Sequence, residues 1–267
     1  MARILITGSS DGIGSLCARV FVKDGHKVVL HARSEQRAKD ATNLCPGAET
    51  VVVADLSNIA EMKRMAEEVN KLGDFDVVIH NAGLYRGPFQ RTEDGYPSQF
   101  AVNTVAPFIL TCLIKRPKRL IYLTSIFHQS CDPSLNDITW KNRGEEQWND
   151  NQGYHDTKFH TVLLANAVAR RWPHVLSNAL DPGWVPTKMG GSNATGDIND
   201  TVKTYELLAV GDVHTTGKYF CDSKEANPIE PALDTKLQDR FIDIMEDITG
   251  IKLPEENLPS GTSTSTR

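Results

Sequence analysis

The sequence predicts one α/β domain over residues 1–258, a doubly wound parallel sheet of seven strands with helices on both faces. Three observations lead there. Short, continuous apolar runs alternate with stretches of helical periodicity, the pattern of strands buried on both faces and joined by crossover helices. A glycine-rich turn follows the first apolar run and opens a helix. The length of 267 residues, 40% of them hydrophobic and 24% charged, suits a full two-sided sheet in one domain.

Arg3 to Thr7 is the first strand. The helix after the turn passes through Ala18 and Phe21 and stops near Gly25, a natural residue beyond a helix end. Lys27 to Ala32 is the second strand, and a polar helix covers roughly Glu35 to Asn43. Thr50 to Ala54 is the third. Ser57 and Asn58 can cap the next helix, with Glu61 in its first turn, and Gly73 ends it. Phe75 to His80 is the fourth strand; a helix around Phe100 to Leu113 leads to the fifth, Arg119 to Thr124. A helix over Tyr154 to Arg171 follows, then strands at Val175 to Leu180 and Gly217 to Cys221. In the last helix, near Leu233 to Ile248, the residues Leu237, Phe241, Ile244, Met245 and Ile248 recur at helical spacing and read as core. Right-handed crossovers place a ligand at the carboxyl ends of the strands. Residues 259–267, rich in Ser, Thr and Gly, read as a disordered tail.

Composition excludes several classes. The formal charge is −5, with no Lys/Arg stripe or basic tail, which argues against nucleic acid. The five cysteines are scattered with no Cys-x-x-Cys pair, and no His-Glu-x-x-His occurs, so neither a disulfide frame nor a metal site is expected. No run approaches the ~18 apolar residues of a membrane span. The first strand starts almost at Met1, which leaves no room for a signal peptide and makes the cytoplasm the expected compartment.

Two constellations carry chemistry. At one end, Thr7-Gly8-Ser9-Ser10-Asp11-Gly12-Ile13-Gly14 lets the backbone approach a pyrophosphate at a helix N-terminus; a tight turn without ligand is the plainer reading. The second strand ends on Ala32 and Arg33. A carboxylate there would hold ribose hydroxyls, whereas a guanidinium can bind a 2′-phosphate. NADP(H) is therefore expected, unless Arg33 only opens the next helix. At the other end, Tyr154 and Lys158 are four residues apart and share a helix face. At about 5 Å and an effective dielectric near 20 the ammonium is worth roughly 3 kcal/mol, about two pKa units, and should lower the phenol; a surface contact is the alternative. Ser125 ends the fifth strand, where it could hold a substrate oxygen or simply cap a helix.

The spacing Gly-x-x-x-Gly-x-Gly, with His80-Asn81-Ala82-Gly83, Ser125, Tyr154-x-x-x-Lys158 and Asp181-Pro182-Gly183-Trp184-Val185-Pro186-Thr187 in this order, resembles the short-chain dehydrogenase/reductase family over nearly the whole chain. It resembles the family's retinol-dehydrogenase-like and daunorubicin C-13 ketoreductase-like members. The resemblance implies a Rossmann domain and a hydride transfer between nicotinamide and a carbonyl or alcohol. It implies that Gly8, Ser10, Gly12, Ile13, Gly14 and Arg33 hold the nucleotide phosphates. Asp55 and Leu56 would lie near adenine, Asn81, Ala82 and Gly83 around the adenosine, and Pro182, Gly183, Val185 and Thr187 at the carboxamide. Asn103, Ser125, Tyr154 and Lys158 would form the catalytic set, with Asn103 kinking its helix and ordering a relay water. A homodimer or homotetramer through the helices around Phe100 and Tyr154 is also implied.

The chain departs from the family in a long insert, residues 126–153. Its Trp140 and Trp148 either line a pocket for an aromatic or polycyclic substrate or form local core. A polar, flexible substrate lid is expected at about 188–202. The rival readings are a non-catalytic NADP(H)-binding regulator on the same fold, which would be expected to lose Ser125, Tyr154 or Lys158, and a structural or interaction protein.

Overall fold

A computed structural model of the protein describes residues 1–255; the tail expected at 259–267 lies outside them. Its strands are β1 (Arg3–Ile6), β2 (Lys27–Ala32), β3 (Thr50–Val53), β4 (Val77–His80), β5 (Arg119–Leu123), β6 (Leu176–Asp181), β7 (Tyr219–Cys221) and β8 (Lys224–Ala226). They form one sheet in the order β3-β2-β1-β4-β5-β6-β7-β8. The order reverses between β1 and β4, so the crevice at their carboxyl ends is the place for a ligand.

The sheet has eight strands where seven parallel ones are expected from the sequence. β8 pairs antiparallel with β7 through the two-residue turn Asp222-Ser223. Both turn residues have positive φ, 49° and 59°, as such hairpins require. With Asp-Ser in place of a glycine signal, and all three β8 residues exposed, nothing in the local pattern marks the strand.

The helices are α1 (Gly12–Lys23), α2 (Glu35–Leu44), α3 (Ile59–Leu72), α4 (Ser98–Phe100), α5 (Ala106–Leu113), α6 (Asp150–Arg171), α7 (Ile198–Val210) and α8 (Thr235–Thr249). The core on one face of the sheet is closed by α3, α5, α6 and α8, and that on the other by α1, α2 and α7. α7 begins inside the stretch 188–202 where a substrate lid is expected. Residues 198–202 begin a 13-residue helix capped by Asp197, which buries Val202, Tyr205, Leu208 and Ala209. Its first turn, Ile-Asn-Asp-Thr, hides the apolar spacing that becomes regular only from Val202. No helix among the described residues is long and apolar enough to cross a membrane.

Candidate active site

The glycine-rich turn is built by close approach. A Cβ on Gly14 would lie 2.4 Å from Asn81 Nδ2, and one on Gly8 would lie 2.7 Å from Ala82 Cα. Asn81 Nδ2 donates to the carbonyls of Thr7 (2.8 Å) and Gly8 (3.0 Å), while Thr7 Oγ1 accepts the N–H groups of Asn81 and Ala82. The β1 and β4 loops are thus laced together at the reversal of strand order, and the Tyr205 hydroxyl of α7 donates to Asn81 Oδ1 at 2.7 Å. Asp11 caps α1 by accepting the Gly12 N–H. The N–H groups of Ile13 and Gly14 have no acceptor among the described residues. A backbone cradle with free donors at a helix start fits a dinucleotide's phosphates.

Three residues at this end escape a local reading. His31 Nδ1 accepts the Gly8 N–H at 2.8 Å, so Nε2 carries the proton and donates to the Ala54 carbonyl at 2.9 Å. Burial pushes its pKa down to about 4, and the neutral ring ties the turn to β3. Arg37, one turn into α2, meets Asp11 at 3.2 Å. Lys188 meets the same carboxylate oxygen at 2.5 Å. A histidine inside the apolar run of β2 was the only sequence signal for the first; the other two look like ordinary surface charges.

Arg33 is exposed at the end of β2, without a hydrogen bond or ion pair among the described residues. Asp55 Oδ1 accepts from the N–H and hydroxyl of Ser57, a helix-entry turn. The Leu56 side chain is buried in the core, so only its backbone can face a ligand.

At the other end, Ser125 follows β5 and its hydroxyl accepts the Phe127 N–H, capping a short 3-10 helix, Ile126–Ser130. Tyr154 and Lys158 lie on the buried face of α6, which Asn149 caps. Lys158 Nζ donates to the Leu123 carbonyl at 2.9 Å and lies 5.4 Å from the centre of the Tyr154 ring. The expected lowering of the phenol is not found. Burial pushes the Tyr154 phenol up, against the pull of the Ser125 hydroxyl, and burial pushes Lys158 down to about 8. The phenol is walled in by Tyr85 at 4.6 Å and Phe127 at 6.2 Å between ring centres. Desolvation therefore exceeds the attraction of an ammonium whose hydrogen bond goes to a carbonyl.

Asn103 sits in a π-turn, Ala101–Val105, between α4 and α5. Its Oδ1 accepts the Leu84 N–H at 2.7 Å, and its Nδ2 donates to Leu84 O and Thr157 Oγ1. Both Asn103 and Lys158 abut Gly83, where a Cβ would lie 3.5 Å from Asn103 Oδ1 and 3.7 Å from Lys158 Nζ.

The loop after β6 is held to itself and to α7. Thr187 Oγ1 accepts the Gly190 N–H, Thr201 of α7 donates to the Pro182 carbonyl, and Val185 is buried. In the insert, Trp140 is buried and packs edge-on against Trp148 at 4.7 Å, with Arg143 over its other side at 3.7 Å. Trp148 continues to Phe89 and donates to Gly87 O. The tryptophans make a small core of their own beside the loop after β4.

Similarity to known proteins agrees with this geometry. The sequence profile described as short chain dehydrogenase matches residues 2–117. The chain is 49% identical to the short-chain dehydrogenase chyC of Penicillium rubens over 95% of this chain and 100% of that one. It is 47% identical to the short-chain dehydrogenase chry4 of Gibberella zeae, over 95% and 99%. Human retinol dehydrogenase 13 is 29% identical, over 96% and 88%. Among solved structures, a blue fluorescent protein from a metagenomic library in complex with NADPH has a TM-score of 0.65 at 21% identity, covering 82% of this chain and 95% of that one. An NADPH-dependent 3-quinuclidinone reductase from Rhodotorula rubra has a TM-score of 0.62 at 24% identity, over 82% and 88%; these two likenesses show the fold. Near-half identity across the full length of two curated relatives shows the family: the chain is a member of the short-chain dehydrogenases, an oxidoreductase family.

Proposed function

We propose that the protein is an NADP(H)-dependent carbonyl reductase or alcohol dehydrogenase. The observation that carries this reading is the meeting of Ser125, Tyr154 and Lys158 at the same sheet edge as the glycine cradle, with Gly83 abutting Lys158. Nicotinamide, when bound, supplies or accepts the hydride. Gly8, Ser10, Gly12, Ile13 and Gly14 would hold its pyrophosphate. Asp55, Leu56, Asn81, Ala82 and Gly83 would surround the adenosine, and Pro182, Gly183, Val185 and Thr187 the carboxamide. The preference for NADP(H) is supported by Ala32 and Arg33 at the end of β2, where a carboxylate would hold the ribose hydroxyls, and by a second guanidinium, Arg37, at the start of α2. The NADPH named for the two solved relatives agrees.

Ser125 donates a hydrogen bond to the substrate's carbonyl oxygen. Tyr154 donates its proton to that oxygen as negative charge builds there; a phenol raised by burial holds this proton at neutral pH until it is needed. Lys158 stabilises the phenolate left behind. Asn103 holds Leu84 and Thr157 so that the walls of the site keep their places. In alcohol oxidation Tyr154 takes the proton instead. Tyr85 and Phe127 at the phenol, with exposed Leu84, Ile126, Trp184 and Met189 on the loops after β4, β5 and β6, support an apolar, aromatic substrate.

The test is nucleotide oxidation across a panel of ketones and aldehydes, including polycyclic aromatics, with NADPH and NADH in parallel. Turnover favouring NADPH is expected. Tight NADPH binding with no turnover on any carbonyl would overturn the catalytic reading in favour of a nucleotide-binding regulator.

A further inference from the structure

Behind Tyr154 and Lys158 lies a buried carboxylate that the reaction above does not use. Asp181 ends β6 and is 3% exposed. Its Oδ2 accepts the Tyr219 hydroxyl at 2.7 Å and its Oδ1 accepts the Gly183 N–H at 2.9 Å. No Lys or Arg forms an ion pair with it among the described residues. Lys158 is 6% exposed and has no ion pair either. A buried anion and a buried cation, each without a direct partner of opposite charge, are costly alone and compensate each other at close range.

The sheet register puts them close. Lys158 Nζ is held on the Leu123 carbonyl, Leu123 pairs with Leu180, and Asp181 follows Leu180. The next residue of the β5 end, Thr124, donates its N–H to Leu180 O and its hydroxyl to Lys158 O. Along β6, Ala179 faces the core closed by α6 and Leu180 the opposite one, so alternation turns Asp181 towards α6.

We propose that Asp181 is a positioning residue that sets the charge of the site, its carboxylate holding the proton on the Lys158 ammonium against burial and adding to the burial that holds it on the Tyr154 phenol. The inference rests on the oxidoreductase reading of the site. The groups that face the pair come from every neighbouring element. Ser125 after β5 and Tyr85 after β4 face Tyr154; His128 after β5 and Tyr219 and Cys221 of β7 face Asp181, with Asp222 beyond them beside Tyr219 and Cys221. Burial raises Tyr154 and lowers Lys158; among the described residues Asp181 is the one carboxylate that adds to the first effect and opposes the second. It also raises Tyr219 and opposes the burial of His128. His128 is neutral by its bonds, donating from Nδ1 to Ser125 O and accepting the Ile229 N–H at Nε2.

Asp181→Asn isolates the charge, because the amide oxygen can still accept from Gly183 and the Tyr219 hydroxyl can turn to accept from the amide. Two readouts decide. In the free protein, the Lys158 side chain, assigned by comparison with Lys158→Arg, is titrated by NMR. In the Asn variant its titration should fall below the wild-type position by about one pH unit, the size of one buried charge acting on another. In the enzyme, kcat/KM for ketone reduction should lose its high-pH limb at a correspondingly lower pH and recover most of the wild-type value near pH 6. NADPH affinity, read by nucleotide fluorescence, should stay within about twofold. Tyr219→Phe, which only loosens the carboxylate, should shift both titrations less. An unmoved Lys158 titration would overturn the proposal. So would a rate loss equal at every pH with weakened NADPH binding, which would mean that Asp181 merely braces the 182–184 turn. A wild-type protein inert towards every carbonyl would sink the oxidoreductase reading instead, while the NMR titration still decides what Asp181 does to Lys158.

Discussion

Lys188 reaches from the loop after β6 to Asp11 in the glycine-rich turn and meets its carboxylate at 2.5 Å, 177 residues away in sequence. Arg37 shares that oxygen, and the ammonium beside Asp11 holds its carboxyl below the usual range. This contact straps the loop after β6 to the glycine-rich turn. The Lys188 side chain is largely exposed and that of Asp11 half-buried, so the strap is worth at most about 1 kcal/mol. Lys188→Ala should speed NADPH release about two- to fivefold in stopped flow at low salt, and wild type should approach the variant at 0.5 M salt as screening grows. Equal release rates at low salt would remove the strap from the account of the site.

Tyr154→Phe keeps the ring that packs on Tyr85 and removes only the proton. Turnover should fall by at least about 100-fold, with NADPH affinity within twofold. A variant retaining more than a tenth of wild-type kcat would rule the phenol out as the acid.

Arg33 and Arg37 are the two guanidiniums proposed to bind a 2′-phosphate. Alanine at both should weaken NADPH binding by about 10- to 100-fold and leave NADH nearly unchanged. Fluorescence titration with the two nucleotides separates the effects. An equal loss for both would point to damage of the Gly8 to Gly14 turn rather than to phosphate recognition.

Two glycines of the turn should respond differently to alanine. At Gly14 the added methyl would overlap Asn81 Nδ2 and Gly8 O, at 2.4 and 2.7 Å, so the glycine-rich turn or the loop after β4 must shift; a loss of about 1–3 kcal/mol is expected. At Gly12 nothing lies within 4 Å and only the positive φ of 57° opposes the change, costing about 1–2 kcal/mol. Urea unfolding should also show that Gly14→Ala alone loses the contact between the β1 and β4 loops, so its penalty shrinks in an Asn81→Ala background.

Three buried histidines are held neutral. Burial pushes His31 down to about 4 and His80 and His160 down to about 3. Each ionises near 6.5 once unfolded, so between about pH 6.5 and these lower values the unfolded chain binds more protons than the folded one. Stability should therefore be full above pH 7 and fall steadily as the pH drops from 6.5 to 4. Urea midpoints at pH 7.5 and 5 should show the loss. A smaller loss is expected for His31→Gln, whose amide can still meet Gly8 and Ala54.

Much of the molecule is legible in short stretches of sequence. The strand and helix alternation, the turn from Gly8 to Gly14, and the placing of Tyr154 four residues before Lys158 depend on local periodicity and backbone freedom. A reader of the chain recovers them without knowing what lies across the sheet. β8 and α7 were missed because three exposed residues in one, and a polar first turn in the other, carry no such periodicity. The electrical state of the site was beyond local reading altogether. Lys158 sits near Tyr154 in sequence, yet desolvation by Tyr85 and Phe127, brought from two other loops, outweighs it and raises the phenol. His31 braces Gly8 from 23 residues away, and Tyr219 holds Asp181 from 38. Sequence determined which groups were available at the carboxyl ends of the strands. Only the packed fold decided their charge, because burial and the partners that offset it come from segments distant along the chain.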